Sequence, residues 1–405
     1  MKLKISAPEE ILDTALTLPP SKSMGVRAAA MDAFSAQAAA WQPDGSADVD
    51  AMRRVAATRS GTADAGESAA ALRFGMALLA ATPGADVRIT GTGRLMERPH
   101  DALTALLRSL GADVERDDEA IVVRGQSLDG GEISVEAGAS SQYISALAMA
   151  APLMRRGLVI KIDWNQPSLP YIDMTLAMMR NRGIDARREG NEITVRPGTY
   201  QAPAESDIEP DWSAAAFWYE TAALTAGFVT LRGLSPRSVQ GDSRVSEIFT
   251  RLGVVTAFDQ EGAQLSADPE MHARLDYDCA PCPDLVPAMA VTAAMLGVPF
   301  ELSGVGALRH KECDRLEAIV RELAKTGAVA EIDRDTLLWD GRRVPVMELP
   351  EFDAHGDHRM AMALAPVAVF APGITIDGAE CVAKSYPHYW DDMRAAGFEI
   401  EEVES

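Results

Sequence analysis

Stretches rich in Ala and Met, almost free of charge through their middles, recur along the chain after a polar start that often holds Ser or Asp. They occupy residues 22–34, 67–81, 140–153, 211–224, 284–296 and 357–370, with starts about 45, 73, 71, 73 and 73 residues apart. A helix that is apolar on every side is a buried one. Between these stretches lie segments with apolar residues at helical spacing, at 102–110, 172–181, 245–252, 316–325 and 389–395. Each ends in a glycine, namely Gly111, Gly183, Gly253, Gly327 and Gly397. Glycine just past a helix adopts the left-handed conformation that closes it.

After each of the first four glycines the pattern turns to a strand, a polar turn and a second strand, as in residues 113–116 with 120–124. The unit is therefore strand, Ala-rich helix, strand, amphipathic helix, strand, strand, and it repeats six times. The first copy reads as shortened. Gly61 is expected to close its second helix, and the next Ala-rich helix follows too soon for a strand pair. The expected fold class is α/β, with two domains of three βαβαββ units each. Residues 19–207 form the first domain, and 1–18 with 208–405 form the second. Prolines interrupt the pattern at 17–20 and near 206–210, where the chain is expected to cross between them. The N-terminal strand then belongs with the second domain.

Composition narrows the function classes. A chain of 405 residues exceeds one ordinary core. Its formal charge of −22 argues against nucleic acid and against anionic membrane surfaces as partners. No apolar run reaches the roughly 18 to 20 residues of a membrane span, and the N-terminus lacks the apolar core of a signal peptide. Four cysteines make no disulfide framework, so a reducing cytoplasm is expected. Cys279 and Cys282 have C-x-x-C spacing, but prolines interleave them and no second ligand pair follows. No metal site is expected from them.

The basic residues gather at element starts. Pro19 and Pro20 stop the incoming strand; Ser21, Lys22 and Ser23 then open a helix with Arg27 about one turn on, a good place to hold a phosphate. Arg73, Arg98, Lys311, Arg315, Arg359 and Lys384 stand at comparable places, accompanied by Asp284, Glu312 and Asp357. Ser140, Ser141 and Gln142 offer hydroxyls, an amide and free backbone donors together. Taken singly, each has an ordinary explanation. Ser140, Ser141 and Asp357 serve as caps, and Glu312 with Arg315 is an i,i+3 pair worth a few tenths of a kcal/mol. Taken together, the same type of element start carries an anion-binding group in copy after copy, as two anionic ligands held at once would require.

Seven segments in order resemble the 5-enolpyruvylshikimate-3-phosphate synthase family. They are residues 21–27 (SKSMGVR), 97–99 (ERP), 140–143 (SSQY), 170–173 (PYID), 308–315 (LRHKECDR), 357–362 (DHRMAM) and 383–387 (AKSYP). The resemblance spans essentially the whole chain. It implies the enolpyruvyl transferase fold, with three βαβαββ units in each domain and the active site in the interdomain cleft, closing on substrate. The implied reaction moves the enolpyruvyl group of phosphoenolpyruvate onto the 5-hydroxyl of shikimate 3-phosphate and releases phosphate, without cofactor or metal. The implied partners are these two small molecules, and the implied protein is a monomer.

By motif position, Asp284 is the implied base for the 5-hydroxyl, Glu312 serves the methylene carbon, and Lys22 shares proton transfer. Lys22, Arg73, Arg98, Gln142, Arg315, Arg359 and Lys384 are implied to hold phosphoenolpyruvate. Ser23, Arg27, Ser140, Ser141, Gln142, Ser168, Tyr171, Asp284 and Lys311 are implied to hold shikimate 3-phosphate. His358 is given a supporting contact. Guanidinium groups suit carboxylate and phosphate because they grip two oxygens at once.

Some positions depart from the family pattern. The usual Asn-Ala-Gly-Thr-Ala-Met-Arg loop stands here as residues 67–73 (ESAAALR), with Ala69 at the Gly position and Glu67 at the Asn position. An added methyl group there narrows the space beside the phosphoenolpyruvate phosphate, so weak inhibition by glyphosate and a raised KM for phosphoenolpyruvate are expected. Gly25 replaces a usual Ser, Ala307 a usual Asn, and Cys313 a usual Ser or Thr. Three alternatives remain at this point: a non-catalytic paralogue that binds shikimate 3-phosphate, enolpyruvyl transfer to a UDP-amino sugar, and a repeat scaffold. The sugar family carries a reactive loop Cys in its first domain, whereas no Cys precedes Cys279 here.

Overall fold

In a computed structural model, which describes residues 1–35, 46–136, 138–163, 166–203 and 205–403, the chain divides into two compact units. One comprises Met1–Pro19 with Pro210–Ser405, the other Pro20–Glu209. The fold is α/β, built from repeated small sheets backed by buried helices.

Among the described residues there are five four-stranded sheets, all with one topology. The first two strands of each repeat pair in parallel around an Ala-rich helix, and the fourth strand inserts antiparallel between the second and the third. In the sheet of Ser60–Asp64, Asp86–Thr90, Asp113–Arg116 and Ala120–Arg124, Ala63 pairs with Ile89 and Ile89 with Ile121. Within the 210–405 unit, two sheets recruit strands from the N-terminus. Asp13–Thr17 pairs in parallel with Phe228–Arg232, and Lys2–Ser6 lies between Ile374–Asp377 and Glu399–Val403.

The repeat explains the glycine spacing. Gly111, Gly183, Gly253, Gly327 and Gly397 follow the amphipathic helices with φ between +78° and +96°, a conformation that side chains with a Cβ resist. The Ala-rich helices are buried on all sides. In Val286–Leu296 every residue but the last is buried, as a segment without charge permits. Two of them run on into short 3-10 turns, Ala151–Leu153 and Ala365–Val369, each holding a proline.

One expectation fails in detail. Gly61 does not close a helix; it lies in the strand Ser60–Asp64, paired with Val87. The second helix of the first copy is Ala47–Ala57, which ends at Thr58 in an extended conformation. Glycine at positive φ is compatible with either place, so the spacing signal misled. This copy contributes the helices Lys22–Asp32 and Ala47–Ala57 but none of the five sheets. Among the described residues a parallel bridge joins Ser35 to Tyr200, reinforced by Ser35 Oγ donating to Tyr200 O at 3.1 Å.

Candidate active site

The 210–405 unit gathers acids and bases at element boundaries in its last two repeats. Asp284 lies in the short turn Pro283–Leu285 that leads into the helix Val286–Leu296. Its carboxylate accepts from Lys311 Nζ at 3.1 Å, Arg315 Nη1 at 3.0 Å and Arg359 Nη2 at 3.0 Å. Glu312 accepts from Arg315 Nη2 at 2.9 Å and faces Lys384 Nζ at 3.2 Å. Asp284, Lys311, Glu312, Arg315, Arg359 and Lys384 therefore form one network, drawn from segments 75 residues apart in the case of Asp284 and Arg359.

Helix-capping acids organise this network. Asp314 caps the helix Arg315–Ala324, so Arg315 occupies its first position. Asp357 caps His358–Leu364 through the Arg359 amide and also grips the Arg315 guanidinium. Burial works against the Arg315 charge, but Asp357, Glu312 and Asp284 outweigh it and hold the group firmly charged. Burial lowers the Lys311 pKa, with Asp284 opposing. The sequence did not single out Asp242, which is buried and accepts from Ser213 Oγ. Burial first, and then the nearby Asp284, push its carboxyl up to about 6. Its position at the start of Gly241–Arg244, another element opening, was the available signal. His358 is buried with Nδ1 3.8 Å from Asp357 Oδ1. Burial pushes the Cys279 and Cys282 thiols up, which keeps them protonated.

The 20–209 unit holds a second cluster. Ser21 caps the helix Lys22–Asp32 by accepting from Met24 N, and Lys22 Nζ lies 3.5 Å from Asp48 Oδ2. One turn on, Arg27 is buried. Its Nε donates to Thr175 Oγ1 at 2.7 Å, its Nη1 to Ser23 O at 2.8 Å, and its guanidinium lies over the Phe74 ring. Burial lowers its pKa to about 10, still charged at neutral pH. Ser168 precedes the helix Leu169–Asn181 at φ +57°, and Tyr171 sits in the first turn of that helix. A non-glycine residue at such φ is strained by roughly 1 kcal/mol or more.

Arg73, in the helix Ala69–Ala80, donates through Nη1 to Gln142 Oε1 at 2.7 Å and through Nη2 to Pro99 O at 3.0 Å. Burial lowers its pKa to about 10, helped by Arg98. Arg98 ends the short helix Gly93–Glu97. Ser140 does act as a cap, accepting from Gln142 N at 3.3 Å, and Ser141 opens the helix Ser141–Ala150. Thr175 and Asp48 carried no signal in the sequence, because their partners Arg27 and Lys22 lie far away along the chain.

A family model for EPSP synthase (3-phosphoshikimate 1-carboxyvinyltransferase) matches residues 49–393. The chain belongs to the EPSP synthase family. It is 40% identical to a 3-phosphoshikimate 1-carboxyvinyltransferase of Bacteroides fragilis, over 99% of each chain. A relative of the same description from Syntrophobacter fumaroxidans is 37% identical over 80% of this chain and 78% of its own. The solved structure of EPSP synthase from Acinetobacter baumannii superposes with a TM-score of 0.78 over 99% of this chain and 100% of that one. At 21% identity this last likeness speaks for the fold. Among the described residues no helix is long and apolar enough to cross a membrane.

Proposed function

We propose that this enzyme transfers the enolpyruvyl group of phosphoenolpyruvate to the 5-hydroxyl of shikimate 3-phosphate and releases phosphate, as a step of aromatic amino acid biosynthesis. The observation that carries the reading is the network in which Asp284 and Glu312, joined through Arg315, hold four cations between them.

The chemistry needs that composition. The attacking hydroxyl must lose a proton while the methylene carbon of phosphoenolpyruvate gains one, giving a tetrahedral intermediate. Phosphate then leaves as the new methyl group is deprotonated. Two acid–base groups are required, with fixed positive charge for a phosphate and a carboxylate. We assign Asp284 to the hydroxyl and Glu312 to the methylene carbon, with Lys22 sharing proton transfer. Lys22, Arg73, Arg98, Gln142, Arg315, Arg359 and Lys384 hold phosphoenolpyruvate. Ser23, Arg27, Ser140, Ser141, Gln142, Ser168, Tyr171 and Lys311 hold shikimate 3-phosphate. Incoming anions compete for the cations that Asp284 and Glu312 now hold.

The strongly negative chain, with four cysteines, suits a monomeric cytoplasmic enzyme acting on small anions. Phosphate release from phosphoenolpyruvate, with and without shikimate 3-phosphate, tests the reaction. Release should require both substrates and should fall about 10²–10⁴-fold in Asp284→Ala and in Glu312→Ala. Release independent of shikimate 3-phosphate, or full activity in both variants, would overturn the assignment.

A further inference from the structure

The carbonyl of Pro99 is a meeting point. Tyr143 Oη donates to it at 2.6 Å and Arg73 Nη2 at 3.0 Å. Arg73 Nη1 continues to Gln142 Oε1 at 2.7 Å, and the same guanidinium lies 5.1 Å from the centroid of the Tyr143 ring. The contacts form a closed circuit from Pro99 to Arg73, to Gln142, along the backbone to Tyr143 and back to Pro99. Gln142 is part of the circuit, and Arg98 is the residue just before Pro99. They come from unrelated elements, the end of Gly93–Glu97 and the first turn of Ser141–Ala150. Arg98 Nε is buried with no hydrogen-bond partner among the described residues, and Arg98 directly precedes Pro99 in the chain.

We propose that Tyr143 is a positioning residue for phosphoenolpyruvate, fixing the spacing of Arg98 and Gln142 through Pro99 and Arg73. The inference rests on the assignment of Arg98 and Gln142 to that substrate. A phenylalanine would fill the same buried space in the helix. The hydroxyl adds only the bond to Pro99 O, a carbonyl that Arg73 already satisfies. Its removal leaves no buried acceptor empty, so stability should barely change. What changes is how tightly the Arg98 loop is held against the helix that carries Gln142. A loss of that kind acts on the ligand the two residues share and spares contacts made by Arg27 or Ser23.

The test is steady-state phosphate release by the full chain carrying Tyr143→Phe, with Tyr143→Leu as the more severe variant and unfolding temperature as the check on folding. KM for phosphoenolpyruvate should rise about three- to tenfold in Tyr143→Phe and further in Tyr143→Leu. KM for shikimate 3-phosphate should stay within about twofold and kcat should change less than KM. Unchanged KM for phosphoenolpyruvate in both variants, or equal rises for both substrates, would overturn the positioning role. If the native protein releases no phosphate, the proposed function falls and this inference with it. If the native protein turns over and the variants match it, only the role of Tyr143 falls.

Discussion

Arg315 Nε donates to Asp357 Oδ2 at 2.6 Å, with the two side chains 1% and 0% exposed and 42 residues apart in sequence. The same carboxylate accepts from the Arg359 amide and so opens the helix His358–Leu364. One buried acid therefore fixes the plane of one guanidinium and the starting point of another. Removing it strands a buried charge, which costs about 3–5 kcal/mol, and removes a helix cap worth about 1 kcal/mol. Asp357→Ala should lower urea-unfolding stability by an amount on that order. A loss under about 1 kcal/mol would mean that Asp284 and Glu312 suffice to hold Arg315.

Lys384 reaches the network from the end of the turn Ala379–Lys384, with Nζ 3.2 Å from Glu312 Oε1. Lys384→Met keeps the length of the side chain and deletes the charge. A charge-assisted contact to a bound anion is worth about 1.5–3 kcal/mol, so KM for phosphoenolpyruvate should rise about ten- to hundredfold. KM for shikimate 3-phosphate should move little. Equal effects on the two constants would take Lys384 out of the phosphoenolpyruvate set.

Much of this was legible in the chain because the deciding physics is local. A helix stop at Gly327 or Gly397 depends on the positive φ of that one residue, and it recurs with each repeat. The cation at Arg315 and the acid at Glu312 lie within one turn, so their pairing follows from spacing. Contacts that close over long separations left no such mark. Lys22 meets Asp48 across an intervening segment, and Arg73 finds a backbone carbonyl at Pro99, which carries no residue signature. Gly61 shows the opposite limit, since its glycine signal was real but its strand pairing with Val87 is set by tertiary structure.

The helix Ala69–Ala80 begins with Ser68 accepting from Ala71 N, which places Ala69 at the first helical position, buried, with Glu67 exposed just before the cap. The resemblance puts Ala69 at the position of a glycine in the family's loop pattern. Glycine at the first helical turn costs little stability, so Ala69→Gly isolates the effect of the methyl group. The variant should lower KM for phosphoenolpyruvate and strengthen inhibition by glyphosate, the longer anion. Equal inhibition of both proteins would remove Ala69 as a determinant.

Glu220 lies in the middle of the buried helix Trp212–Thr225 with 0% exposure, and neither carboxyl oxygen has a hydrogen-bond partner among the described residues. Desolvation raises its pKa well above the ordinary value, so the folded protein holds Glu220 as the neutral acid. The unfolded chain ionises near pH 4.3. Above that value unfolding releases a proton, and stability falls by about 1.4 kcal/mol per pH unit until the folded group ionises as well. Glu220→Gln keeps the shape and cannot ionise, so its unfolding temperature should gain on the native protein as pH climbs from 5 to 8. The amide pays its own desolvation cost equally at every pH, so the changing difference between the two proteins, and not its size at one pH, is the measurement that decides. A constant difference across that range would show that Glu220 is already ionised in the fold, with a counter-charge drawn to it.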